Sequence, residues 1–118
     1  MKIRITVDGD IVATGTLDHN ESARDFAALL PLDLLLKDYA STEKIADLPS
    51  RLSMTGAPEA YTPSVGDISF YAPWGNLAIF YEDGRLSRGL VRVGRLDAGI
   101  DVLRRVGLLA VKVDLAEP

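Results

Sequence analysis

The sequence predicts a mainly β fold, a closed eight-stranded β-barrel capped by two short helices. Three observations carry that expectation. Apolar and polar residues alternate in short runs separated by tight-turn signals, the pattern of strands. Only two stretches have helical spacing, and both are short. The run Val93-Gly94-Arg95-Leu96-Asp97-Ala98-Gly99-Ile100-Asp101-Val102-Leu103-Arg104-Arg105-Val106 joins a β-rich strand to one of them through two glycines five residues apart. Closing the sheet leaves no exposed strand edge, and a helix over each mouth shields the interior. At 118 residues the chain has the size of one domain, residues 1–118, with room for one hydrophobic core.

Residues 2–7 alternate, which places Ile3, Ile5 and Val7 on one face of a strand. Asp8-Gly9 is a hairpin-turn signal, because glycine takes a positive φ at no steric cost. A second strand follows over Ile11 to Leu17. Either Asp18, with Glu21 completing a capping box, or Asn20 caps the first helix. Ala23, Phe26, Ala27 and Leu30 share its apolar face, and Pro31 ends it.

Leu32 to Leu36 is an almost fully apolar run, consistent with a strand buried on both sides. From Tyr39 to Pro63 the pattern weakens. Three prolines (Pro49, Pro58, Pro63) and several turn formers predict a long, partly ordered excursion with room for one short strand. Gly66-Asp67 opens a second β-rich block. A strand containing Ile68 and Phe70 turns at Ala72-Pro73-Trp74-Gly75-Asn76 and returns over Leu77 to Tyr81. After a turn at Asp83-Gly84 come a strand over Gly89 to Arg95, a helix over Ile100 to Val106 and a closing strand over Leu108 to Leu115.

Composition excludes several functions. The net charge of −4 argues against a nucleic-acid partner, which clustered Lys and Arg would attract, and against an anionic membrane surface. The chain has no cysteine, so thiolate chemistry, disulfides and Cys-based metal sites are absent. No run approaches the ~20 apolar residues that cross a bilayer, and the N-terminus opens as a strand rather than a basic patch before a hydrophobic stretch. A cytoplasmic protein without a cofactor is the expectation. His19, the only histidine, has no metal-ligand spacing around it and reads as a surface or capping residue. No calcium-loop pattern, phosphate loop or serine–histidine arrangement is present, and Arg104-Arg105 suits the end of a helix.

Two segments resemble the cyclophilin family. Ser22-Ala23-Arg24-Asp25-Phe26-Ala27-Ala28-Leu29 resembles that family's first helix. Gly94-Arg95-Leu96-Asp97-Ala98-Gly99-Ile100-Asp101-Val102 resembles its Gly-Lys-Val, two variable residues, Gly-Met, one variable residue, Val. Hairpin, helix, sheet, helix and final strand also follow one another in the family's order. The chain is shorter than a typical cyclophilin and is similar to the compact bacterial cyclophilin-like proteins.

Its departures bear on activity. Catalytic cyclophilins carry Phe-His-Arg and then Phe-Met-x-Gln-Gly-Gly-Asp after the first helix. Here that stretch is Pro31-Leu32-Asp33-Leu34-Leu35-Leu36-Lys37-Asp38-Tyr39 followed by residues 40–53, without the Arg or the Gln-Gly-Gly-Asp. The family's pocket histidine is matched by Leu90. No catalytic role transfers to a residue of this chain. Rotation about an X–Pro bond crosses a barrier of ~18–20 kcal/mol. A guanidinium on the proline nitrogen stabilises the twisted state by roughly 3–4 kcal/mol, by analogy with oxyanion-hole donors. Without it, a groove binds a peptide but isomerises it slowly.

The candidate binding residues are aromatic or cationic. Trp74, in a turn between Pro73 and Gly75, is either the wall of a ligand site or a lid over the barrel mouth. Tyr71 and Tyr81 flank the same hairpin; Tyr39 and Tyr61 bound the excursion. Arg92, between Val91 and Val93, points either to solvent or into a cleft, and Arg51 carries the same ambiguity. Three readings follow. One is a binding module for a peptide or small molecule, bounded by Trp74, Tyr71 and the excursion. The second is an active prolyl isomerase using Arg92 or Arg51, and the third a non-catalytic subunit of a larger enzyme complex. The sequence leaves the oligomeric state open.

Overall fold

The computed structural model describes residues 1–116. Lys2–Val7 (β1) and Asp10–Leu17 (β2) form the expected hairpin, with Asp8 (φ 51°) and Gly9 (φ 84°) both left-handed at its tip. Glu21–Leu29 is the first helix (α1). Asn20, not Asp18, caps it: its Oδ1 accepts the Ala23 N–H at 2.7 Å. No capping box forms, because the Glu21 carboxylate accepts from the Ser53 hydroxyl instead. Ser22, Ala23, Phe26 and Ala27 are its buried residues, and the helix packs against a later strand.

Eight strands close the barrel. After α1 come Leu32–Tyr39 (β3), Glu43–Asp47 (β4), the two-residue Ala60–Tyr61 (β5), Asp67–Tyr71 (β6), Asn76–Phe80 (β7), the two-residue Ser87–Arg88 (β8) and Leu90–Ala98 (β9). A one-turn helix, Ile100–Leu103 (α2), precedes Leu109–Leu115 (β10). The order around the barrel is β1-β10-β3-β4-β7-β6-β9-β2, every neighbour antiparallel, and β2 pairs β1 to close the circle. β5 and β8 pair separately as a small ribbon. Among the described residues no helix is long and apolar enough to cross a membrane.

Three expectations need correction. The stretch from Tyr39 to Pro63, expected to hold one short strand, holds two: β4, a full barrel strand paired to both β3 and β7, and the two-residue β5. Leu32–Leu36 is buried on one side only: Leu34 and Leu36 face the core, while Leu35 is 57% exposed. The second helix stops at Leu103 instead of Val106, and a left-handed Gly107 leads the chain into β10.

The interior is filled by alternate strand residues, among them Ile3, Ile5, Leu36, Ile68, Phe70 and Val93, with Phe26 of α1 and Leu103 of α2 joining the same core. The two glycines of the 93–106 run have steric causes. A Cβ on Gly94 would lie 2.5 Å from the Thr16 carbonyl oxygen, and one on Gly99 would lie 2.2 Å from that of Val12. Gly99 also has a φ of +95°. At Gly94 of β9 and at Gly99 just beyond it, the chain thus runs too close to β2 for any side chain.

One inward position is charged. Lys44 of β4 is fully buried, and its ammonium donates to Asp38 Oδ1 at 2.7 Å and to the carbonyls of Arg105 at 2.5 Å and Gly107 at 2.8 Å. Asp38 also accepts the Gly107 N–H at 2.8 Å and the Tyr81 hydroxyl at 2.9 Å. The Lys44 bond above all, then those from Gly107 and Tyr81, hold the Asp38 carboxyl at about 2, below its ordinary 3.8. The chain following α2 is thereby pinned to β3 and β4.

Two predictions follow from these contacts. Gly99→Ala, which adds both a clash and a left-handed side chain, lowers unfolding free energy by more than about 2 kcal/mol in urea titrations with an unchanged m-value. Asp38→Ala destabilises far more than Lys44→Met, because it leaves an ammonium buried without its anion, whereas the 28%-exposed Asp38 side chain keeps contact with water when Lys44 is lost. Asp38's contribution is present above pH 3.8 and vanishes as pH falls toward 2, so wild type loses stability across that window and Asp38→Ala does not.

Candidate functional site

The site begins with a strand that is buried on both faces. All five residues of β7 are buried. Leu77 and Ile79 belong to the barrel core, while Ala78 and Phe80 turn outward and join Ile45 and Leu90 in a second apolar cluster on the outside of the wall. Such a face must be covered. The β5–β8 ribbon and its flanking loops do so, held by backbone bonds from Gly84 to Pro63, Gly66 to Phe80 and Gly89 to Glu59.

The cover is incomplete. It leaves a cleft of about 500 Å³ whose floor is Ile45, Ala78, Phe80 and Leu90. One rim is aromatic: the Trp74 ring meets both Tyr39 and Tyr71 edge-on, each with a centroid distance of 5.3 Å. Trp74 is 54% exposed although it takes part in both contacts. The other rim is the loop carrying Asp83, Gly84, Arg85 and Ser87. The turn Ala40-Ser41 beside Tyr39 is strained, for both residues sit in the left-handed region at φ 54° and 53°.

Two polar groups line this cleft without partners. Asn76, 2% exposed, gives its amide hydrogen to the Leu77 carbonyl at 3.2 Å, but its Oδ1 accepts nothing. A buried oxygen without a donor costs free energy. Glu43 stands half-buried at the other end of the floor. Desolvation alone pushes its carboxyl up from 4.5 to about 7, with no neighbouring group offsetting the burial.

The six candidate residues separate into three places. Trp74, Tyr71 and Tyr39 come together at the apolar cleft. Arg92 and Tyr61 line a different, shallower cleft over β6 and β9, shared with Asp18 and Asp67. There the Arg92 guanidinium grips Asp18 with two bonds, at 2.8 and 3.2 Å, and stands 3.8 Å from Asp67. The Asp18 bond raises the Arg92 pKa further. The Tyr61 hydroxyl bonds Ser69, and burial pushes it up to about 12. Arg51 is exposed and donates to the Ala72 carbonyl at 2.6 Å, behind the Trp74 turn. Tyr81, beside the same hairpin in sequence, points away into the Asp38 network.

Asn76 and Glu43 escape a reading of the sequence alone. A polar residue at the head of the apolar run Leu77-Ala78-Ile79-Phe80 is the only hint of the first, and Glu43 belongs to a strand hidden by its own irregular pattern. Leu90, matched to the pocket histidine of cyclophilins, stands in the cleft floor. His19 is exposed, and no group of three metal-ligating side chains occurs among the described residues.

Glu43 generates a pH prediction. Its folded pKa lies above the unfolded value, so the folded form prefers the proton, and stability falls as pH rises from 4.5 to about 7. Water at the cleft mouth screens part of the cost. Glu43→Gln is therefore expected to gain about 1–2 kcal/mol at pH 8 and to flatten that slope in denaturant titrations.

Comparison with known proteins supplies a family and a fold. Residues 5–116 match the model of the cyclophilin-like family. No curated protein matches the sequence. The solution structure of a hypothetical protein from Archaeoglobus fulgidus superposes with a TM-score of 0.68 at 15% identity, covering 98% of this chain and 95% of that one. At that identity the likeness speaks for the shared fold.

Proposed function

The chain belongs to the cyclophilin-like family, and on that footing we propose that it is a binding module for a peptide or small molecule, with little or no prolyl isomerase activity. The supporting observation is the open cleft on the outer barrel wall, apolar in its floor and aromatic along one rim. The apolar surface still open to water lies on the aromatic rim, where Trp74 is 54% and Tyr39 43% exposed, and covering it would stabilise by ~25 cal/mol per Å². Concave, mainly apolar sites with a few convergent polar groups are the usual form of ligand pockets.

Low isomerase activity is argued from the two arginines that the sequence offers as substitutes. Arg92 is held by Asp18 in the other cleft, and Arg51 is committed to a backbone carbonyl; neither lines the aromatic cleft. Redirecting Arg92 toward a substrate breaks a bidentate ion pair, a cost that works against catalysis. Leu90 offers a substrate carbonyl no hydrogen bond.

Titration of isotopically labelled protein with a peptide library that includes X–Pro sequences is expected to shift the amides of Trp74, Ala78 and Phe80. Trp74→Ala weakens that binding about tenfold or more, because it removes an exposed anchor without touching the core. A protease-coupled assay at micromolar protein is expected to show no acceleration of X–Pro isomerisation. Clear acceleration would overturn the non-catalytic reading, and a library that perturbs no cleft residue would overturn the binding one.

A further inference from the structure

Resting on the proposed cleft, a narrower inference concerns what it selects. Its polar lining is unbalanced in a particular way. Asn76 Oδ1 is an acceptor with no donor inside a residue that is 2% exposed. Glu43 is a second acceptor, desolvated and without a compensating cation. The charged groups facing the cleft are Glu43, Asp83 and Arg85, a net negative set, and Tyr39 and Tyr71 are the other titratable ones. Asp83 is already engaged by the Val65 N–H. The cleft therefore offers acceptors at two points, Asn76 Oδ1 and Glu43, to which no donor of the protein is bonded.

Strand register fixes how far apart those points are. Glu43 pairs with Phe80, and Asp47 pairs with Asn76, so the two acceptors mark ends of the same β4–β7 segment four residues apart. At about 3.3 Å per residue they are separated by about 13 Å, the span of four residues of extended chain. Ile45 and Ala78, apolar and nearly closed to water, lie between them.

We propose that the cleft takes an extended peptide segment of about four residues that carries a basic side chain at one end. A backbone N–H of the peptide donates to Asn76 Oδ1, the apolar middle covers Ile45 and Ala78 against the Trp74 rim, and the basic group pairs with Glu43. The side-chain amide of Asn76 suits a peptide unit, since its Oδ1 is free and its Nδ2 has only a long bond to its own neighbour to give up. An acidic ligand would add a negative charge to a cleft that already has an excess. Discrimination thus comes from repulsion as well as attraction.

Three pairs of capped tetrapeptides with the same apolar middle test the idea, the pairs carrying lysine, norleucine or glutamate and the members of a pair carrying it at opposite ends. The lysine peptide is expected to bind wild type about tenfold more tightly than the norleucine peptide, with the glutamate peptide weakest. In Glu43→Gln the lysine and norleucine peptides are expected to bind alike, whereas Asn76→Ala weakens every peptide. Should Asn76→Ala fail to fold, the Glu43 carboxyl resonance gives a second readout in wild type. Its midpoint moves from about 7 toward 4.5 when the lysine peptide is bound and stays put with norleucine. Equal binding of all the peptides with an unmoved Glu43 midpoint overturns the basic preference while the cleft remains a binding site. If no peptide shifts any cleft resonance, the binding reading itself falls, and this inference with it.

Discussion

Everything that distinguishes this barrel from a plain closed sheet depends on a wall that excludes water from both of its faces. β7 runs through five buried residues, and β4 opposite it places Ile45 outward beside Ala78 and Phe80. Inside, Leu77 and Ile79 are secured by the barrel core. Outside, the two-stranded β5–β8 ribbon and its flanking loops take on the covering. Short loops cannot seal a surface of that length. The unsealed part is the cleft, and its composition is inherited from the strand positions beneath it.

The same constraint explains the placement of polar groups. Lys44 has no choice but to face inward once Ile45 faces outward, because neighbouring strand residues alternate. Its burial is tolerable because Asp38 and two backbone carbonyls surround the ammonium, and in doing so they fix the chain that follows α2. Asn76 and Glu43 occupy the equivalent outward positions at the two ends of the β4–β7 segment. Unlike Lys44, Asn76 keeps an acceptor oxygen without a donor, and Glu43 has no cation bonded to it. Nearby polar groups on one wall are thus fully satisfied on the inside and left open on the outside. In the shallow cleft over β6 and β9 the charged pair Arg92 and Asp18 already answer each other.

Much of the fold was legible in the sequence. Asp8-Gly9, the α1 face of Ala23, Phe26 and Ala27, and the Gly94–Gly99 spacing each have one physical meaning, and the structure bears them out. β4 was not legible, because Glu-Lys-Ile-Ala-Asp puts a charged residue in the core and an isoleucine on the outer face, inverting the pattern that signals a strand. Leu32–Leu36 misled in the opposite sense: Leu35 is simply exposed. For the site, a tryptophan between proline and glycine marked the rim, and Tyr71 and Tyr39 joined it. That neither Arg92 nor Arg51 reaches that rim lay beyond any one-dimensional pattern, since it turned on Asp18 and the Ala72 carbonyl, residues distant in sequence from them. Asn76 and Glu43 emerge only once the register of β4 against β7 is known.

The central claim is that the outer face of β4 and β7 is a place where another molecule sits. Crystals soaked with a broad set of peptide and small-molecule fragments test it most directly. The account predicts density lying on Ile45, Ala78 and Phe80 beside the Trp74 ring, with a donor atom within hydrogen-bond distance of Asn76 Oδ1. Fragments that gather elsewhere on the barrel, or a cleft that stays empty across the whole set, would contradict it.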